Sequence, residues 1–205
     1  MHQPLPFGDF KEFKAFEFKA RVYRWAIWKW MKRTIRQDSS IIVQTNWMKE
    51  AVSRKLGISE NLIHVIRPEI EPLIQADIEY PNHRTHRLLY PAVPSISYKN
   101  HELPIRMLSV MKETERTLYS RIKVIFTCKP EDNKLTKYYY NLARKLGVDE
   151  KIDWKGYLSK NDMVKEYIGS DIVLFPSKLE TFGLPLAEAA SLGKPILVID
   201  KPYAH

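Results

Sequence analysis

The chain of 205 residues has one cysteine, Cys128, so no disulfide can form within it, and a reducing compartment suits it. It has no apolar run long enough to span a bilayer and no signal-peptide pattern ahead of a small-residue cleavage site. Glycine is scarce, at seven residues, and none falls in a Gly-x-Gly-x-x-Gly or a P-loop pattern, which excludes those two phosphate-cradling devices. No internal repeat or low-complexity tract is present. Metal-ligand spacing is also missing: His83 and His86 stand three apart, without a cysteine or a carboxylate cluster nearby. Cys128 follows the apolar run Ile122 to Thr127, which reads as a buried or strand-end thiol rather than a nucleophile.

Apolar residues are not scarce. A hydrophobic content of 44%, with 12% aromatics, is enough for a true core and excludes disorder. The net charge of +9 calls for an anionic partner, and its distribution narrows the choice. Between Asp9 and Arg36 there are nine Lys or Arg against three Asp or Glu, so this one segment supplies two-thirds of the surplus. It reads as a helix with two apolar lines. One runs through Phe13, Phe16, Ala20, Tyr23, Ile27, Trp30 and Thr34, the other through Phe18, Val22, Trp25 and Trp28. Two such lines mean burial on both sides, or one face on protein and one on lipid. An anionic membrane surface is therefore a candidate partner of residues 11–36. Nucleic acid is not expected, because the aromatics follow helical packing spacing and no nucleic-acid module is visible.

Further along, Ile41 to Gln44 reads as a strand and Asn46 to Leu56 as a helix, capped by Thr45 or Asn46 and stopped at Gly57. Leu62 to Ile66 is a second strand. Residues 69–84 are polar and contain Pro72 and Pro81, the composition of a linker. Strands and helices then alternate. The strands are Arg87 to Tyr90, Arg121 to Thr127, Ile152 to Trp154, Asp171 to Phe175 and Pro195 to Ile199. The helices are Asn100 to Met111, Leu135 to Leu146, Lys160 to Ile168 and Leu184 to Leu192. This order predicts an α/β fold with a parallel, Rossmann-like sheet and ligands at the carboxyl ends of its strands.

The most informative stretch joins the fourth of these strands to the last helix. In Glu180-Thr181-Phe182-Gly183-Leu184-Pro185-Leu186-Ala187-Glu188-Ala189, two glutamates with seven residues between them flank a loop that leads into a helix N-terminus. Pro185 suits the first helical turn, where a missing N–H costs nothing, and Gly193 suits the stop. The backbone N–H groups of such a loop attract phosphate and polarised hydroxyls, and the two carboxylates can accept hydrogen bonds from sugar or ribose hydroxyls. Read without any relative, the same residues also describe a capped helix with surface glutamates.

With every fixed position of Glu-x-Phe-Gly-Leu-Pro-x-x-Glu-Ala present, the stretch resembles the signature of the retaining family 4 glycosyltransferases. The resemblance implies a GT-B fold, in which two Rossmann-like domains flank a cleft. Here it implies an incomplete N-terminal acceptor-side domain over 1–68, a linker over 69–84, and a nucleotide-sugar-binding domain over 85–205 that stops short of the family's last helices. The chain is thus expected to be a fragment with little activity alone. The implied reaction moves a sugar from a nucleotide-diphosphate sugar to an acceptor hydroxyl, with retention and without metal or other cofactor, in bacterial cell-surface polysaccharide or lipopolysaccharide synthesis. The implied acceptor is a saccharide or a lipid-linked one. The implied location is cytoplasmic, with peripheral attachment to the inner face of the cytoplasmic membrane as the alternative.

Residue by residue, Glu180 would contact the donor sugar, Phe182, Gly183 and Leu184 would offer N–H groups, and Glu188 would hold the ribose. Lys99 would grip the diphosphate, although as an isolated observation it is also an ordinary loop lysine. The Arg that family members carry a few residues earlier is absent from Pro91-Ala92-Val93-Pro94-Ser95. Gly156, Tyr157 and Leu158 would border the base; Tyr157 either stacks on it or faces the core. His2, in His2-Gln3-Pro4, matches the family's cleft histidine and is the second catalytic candidate beside Glu180. His101 reads as a first-turn helix residue. A non-catalytic nucleotide-binding module, or a peripheral membrane protein docking through residues 11–36, remain the rival readings.

Overall fold

The computed structural model describes residues 4–8, 18–70 and 85–205. His2, residues 11–17 of the basic segment and most of the linker over 69–84 lie outside the described residues. Two compact units emerge. The first holds the described residues up to Glu69, with Lys178–Gly183 and Asp200–His205. The second holds those from Ile70 to Ser177, with Leu184–Ile199.

In the first unit, helix α1 (Phe18–Thr34) precedes strand β1 (Ile41–Val43), helix α2 (Asn46–Leu56) and strand β2 (Ile63–Val65). The two strands pair in parallel, Val43 opposite Val65, as a β-α-β connection requires. Val43, Met48 and Val52 are fully buried and pack with Met31 of α1, Ile41, Ile58 and Ile63. Apolar residues at positions 48, 51 and 52 of α2 recur at helical spacing and supply this face. The helix stops where Gly57 turns left-handed (φ 71°) and its N–H bonds back to the Ser53 carbonyl at 2.8 Å.

The second unit is a five-stranded sheet. Strand β3 (His86–Tyr90) leads to helices α3 (Glu102–Thr114) and α4 (Arg116–Arg121), then strand β4 (Ile122–Phe126) and helix α5 (Lys134–Lys145). Strand β5 (Ile152–Trp154), helix α6 (Lys160–Ile168), strand β6 (Ile172–Phe175), helix α7 (Leu184–Ser191) and strand β7 (Ile196–Val198) complete it. Every pairing is parallel, in the order β5-β4-β3-β6-β7. Leu88–Tyr90, Val124–Phe126 and Val173–Phe175 are buried as continuous apolar runs, which is what strands covered on both faces require. Asn133 caps α5 by accepting from the amides of Leu135 and Thr136 (2.9 and 3.0 Å), and Ser159 caps α6 through the Asp162 amide.

Two local expectations need correction. Helix α3 starts at Glu102, not at Asn100, because Asn100 takes a left-handed conformation (φ 57°) and so cannot be a cap. Thr45 occupies the residue before α2, but its hydroxyl does not cap the helix; it bonds elsewhere. Helix α4 had no apolar periodicity to announce it, and only Tyr119 of its six residues is buried.

Chain order explains where a ligand would lie. Strand β3 is central, β4 and β5 are added on one side, and β6 and β7 on the other. Connections therefore reverse direction between β3 and β6, and the loops leaving those two carboxyl ends diverge. Such a switch point is the usual ligand crevice of an open parallel sheet.

Candidate active site

At the switch point, the loop after β3 is held at several places. The Tyr90 hydroxyl donates to the Lys99 carbonyl, and Asn100 Nδ2 donates to the Pro176 carbonyl at the exit of β6 (3.1 Å). The left-handed turn at Asn100 is what lets its side chain cross between the two exits. His101 is completely buried, with its ring 4.4 Å from that of Tyr90, 5.0 Å from Phe126 and stacked at 5.7 Å on Tyr139. Its Nε2–H reaches the Ala92 carbonyl at 2.9 Å. Burial, aided by the nearby Lys99 charge and opposed by the Ala92 bond, lowers its pKa to about 3, so the ring is neutral and structural. The result is a rigid seat for Lys99, whose ammonium lies 5.7 Å from the centre of the Tyr98 ring.

At the exit of β5, Gly156 is buried in a left-handed conformation (φ 80°). The left-handed conformation favours glycine there; a Cβ would fall 2.6 Å from Cε of the exposed Lys129 side chain, which would have to move aside. Leu158 is half-buried and Tyr157 is 91% exposed, which removes the core-facing reading of that tyrosine. Lys129, just past the end of β4, is a cation at this edge that sequence reasoning missed. The signal was available: it is the first basic residue after a buried strand, as Lys99 is after β3.

Glu188 is the fifth residue of α7, and its Oε2 accepts a 2.7 Å hydrogen bond from the Tyr167 hydroxyl. Tyr167 is fully buried against Leu89, Ile125, Val173 and Ala189. Burial, and then the Glu188 charge, raise its pKa far above the ordinary tyrosine range, so it remains a donor. Nothing in the sequence links these two residues, which are 21 apart and meet only because α6 and α7 pack on the same sheet. Leu184 opens α7 and is exposed.

The other half of the signature belongs to the first unit. The Thr181 carbonyl accepts from the Thr45 hydroxyl (2.9 Å) and from the Trp47 indole N–H (3.2 Å). Leu179 is buried, with Gly8 so close that a Cβ there would fall 2.6 Å from Leu179 Cδ2. With the carbonyl side thus anchored, the amides of Phe182 and Gly183 (φ 81°) make no hydrogen bond among the described residues. Glu180 is half-buried near Tyr203, whose pKa is raised by burial and then by the Glu180 charge. Phe182, Thr45, Trp47, Arg67 and Tyr203 line a cavity of about 640 Å³. Cys128 is buried, and its thiol is pushed up to about 12 by burial and by Asp132, so it is no nucleophile. Among the described residues, no group of three or more His, Cys, Asp or Glu is placed to hold a metal ion.

A family model described as "Glycosyl transferases group 1" matches residues 79–204. The chain belongs to that family. A D-inositol 3-phosphate glycosyltransferase of Corynebacterium efficiens is 32% identical to this member over 90 residues, 43% of this chain and 21% of that protein. A D-inositol 3-phosphate glycosyltransferase of Nocardia farcinica is 22% identical over 176 residues, 82% of this chain and 39% of that one. Among solved structures, WaaG, a glycosyltransferase involved in lipopolysaccharide biosynthesis, superposes with a TM-score of 0.67 at 21% identity, over 94% of this chain and 53% of its own. HepE of Anabaena, in complex with UDP and glucose, gives 0.67 at 16% identity, over 100% and 53%. The fold of this glycosyl transferases group 1 member is thus the GT-B fold, and the chain spans about half the length of those two structures.

Proposed function

We propose that this chain carries the donor site of a retaining, family 4 glycosyltransferase that moves a sugar from a nucleotide-diphosphate sugar to an acceptor hydroxyl. The observation that carries the reading is the Glu180–Glu188 loop, whose carbonyl side is anchored while the Phe182 and Gly183 amides make no hydrogen bond among the described residues. Unbonded amides just ahead of a helix suit the oxygens of a sugar diphosphate, and flanking carboxylates suit hydroxyls. In this reading Glu180 orients the donor sugar and Glu188, held by Tyr167, accepts from the ribose. Lys99 neutralises the diphosphate, and Lys129 past the end of β4 adds a second cation. Tyr157, exposed beyond Gly156, stacks on the base, with Leu158 beside it.

In the transfer, the bond from the anomeric carbon to the phosphate oxygen breaks and its electron pair leaves with the diphosphate. The acceptor oxygen bonds to the carbon on the same face, and its proton passes to the departing phosphate. Positive charge around the leaving group lowers the barrier, with no metal assigned. The match of WaaG, a protein of lipopolysaccharide biosynthesis, favours a cell-surface glycan as the product. The test is titration calorimetry with UDP- and GDP-sugars. Wild type should bind one of them and Glu188→Ala should bind it at least about tenfold more weakly, as expected for a lost charge-assisted hydrogen bond. Equal binding by both proteins defeats the assignment. Retention is read separately, from the anomeric configuration of any product by NMR.

A further inference from the structure

Thr45 sits where a capping residue belongs and does not cap. Its backbone is extended (φ −145°, ψ 159°), as the residue ahead of a helix requires, and a threonine hydroxyl there ordinarily accepts from an amide of the first turn. No such bond is made. The hydroxyl instead donates to the Thr181 carbonyl at 2.9 Å, across 136 residues of chain. Trp47, the second residue of α2, donates its indole N–H to the same oxygen at 3.2 Å. A carbonyl oxygen has two lone pairs, so it can accept both bonds at once. Helix α2 thus forgoes the stability that a threonine cap supplies, and its first turn serves a distant peptide group instead.

The other end of that peptide group gives the reason. The Thr181 carbonyl and the Phe182 N–H belong to one planar trans peptide, so they point in opposite directions. Fixing the carbonyl toward Thr45 and Trp47 therefore fixes the N–H away from them, and this amide makes no hydrogen bond among the described residues. Two donors on the carbonyl also polarise the peptide, which makes its N–H a stronger donor. An amide held in this way is already oriented when an anion reaches it, whereas an untethered loop has to be ordered on binding.

The geometry points to Thr45 and Trp47 as positioning residues for the donor diphosphate. By holding the Thr181 carbonyl they set the Thr181–Phe182 peptide so that the Phe182 N–H is presented, preoriented, to a phosphate oxygen. The inference rests on the donor-site reading above and adds to it two residues that touch no substrate. A purely structural tie would serve stability alone. Thr45 and Trp47 would then matter no more to a nucleotide than Val52, a fully buried residue of the same helix.

The test is titration calorimetry of the whole chain with UDP and with GDP, beside urea unfolding midpoints. Wild type should bind one of the two nucleotides. Thr45→Val removes the hydroxyl at nearly constant shape and should weaken that binding by roughly three- to tenfold, as should Trp47→Phe, which removes the indole donor. Thr45→Ser restores the hydroxyl and should bind within about twofold of wild type. Val52→Ala cuts the core on the buried side of α2 and should lower the unfolding midpoint while leaving the affinity at the wild-type value. If Thr45→Val and Trp47→Phe bind as wild type does while Glu188→Ala binds more weakly, the positioning role is overturned and the donor site stands. If Val52→Ala weakens binding as much as Thr45→Val does, the tie acts through stability alone and the positioning role is again overturned. If wild type binds neither nucleotide, the donor reading falls and takes this inference with it.

Discussion

Tyr167 and His101 show how a single buried polar side chain can set the properties of a half-buried neighbour. Tyr167→Phe keeps the ring in its apolar pocket and removes only the donor to Glu188. Thermal stability should change by no more than about 1–2 kcal/mol, while donor affinity in calorimetry should fall by roughly three- to tenfold as the carboxylate loses its orientation. A drop in stability without a drop in affinity would assign Tyr167 to the core alone. His101 makes a prediction about pH. Its folded pKa of about 3 lies below the unfolded value near 6.5, so the unfolded chain binds the extra proton first. The contribution is intact above pH 6.5 and is lost as pH falls from there toward 3, at up to about 1.4 kcal/mol per unit. Urea midpoints at pH 7 and pH 5 should therefore differ more in wild type than in His101→Phe. Cys128, with a pKa of about 12, should react with a thiol reagent only after unfolding.

Among the elements, boundaries were readable where a local device imposes them. Helix α2 spans the expected Asn46–Leu56 because Gly57 enforces its stop, and α6 spans the expected Lys160–Ile168 because Ser159 caps its start. Helix α4 was not readable, since it hides only one side chain. The start of α3 was misplaced because an asparagine suits both a cap and a left-handed turn, and the choice was made by the Pro176 carbonyl from a distant strand. Gly156 gives the test at this scale. Gly156→Ala puts a Cβ into a left-handed residue and against Lys129, and should cost about 1–3 kcal/mol in chemical unfolding. Gly193→Ala meets nothing within 4 Å and bears only the left-handed penalty (φ 62°), so its cost should be about 1 kcal/mol.

For the whole molecule, each unit has its own buried cluster, and truncations in the two should act locally. Met48→Ala and Leu89→Ala each remove a fully buried side chain and should each cost about 2–5 kcal/mol. Hydrogen exchange should rise around β1 and β2 in the first variant, and around β3, β4 and β6 in the second. A uniform rise in both units from either change would show that they unfold as one.

By itself, the sequence determined that strands and helices alternate, that the sheet is parallel, and that two glutamates flank a loop entering a helix. These follow from periodicity, from turn residues and from the steric needs of glycine and proline, all of which act within a few residues. Tertiary structure alone decided the strand order that puts the switch point between β3 and β6, the partnership of Tyr167 with Glu188, and the place of Lys129 against Gly156. Each of these depends on surfaces far apart in the chain burying one another, and no local pattern encodes which surface a given face will meet.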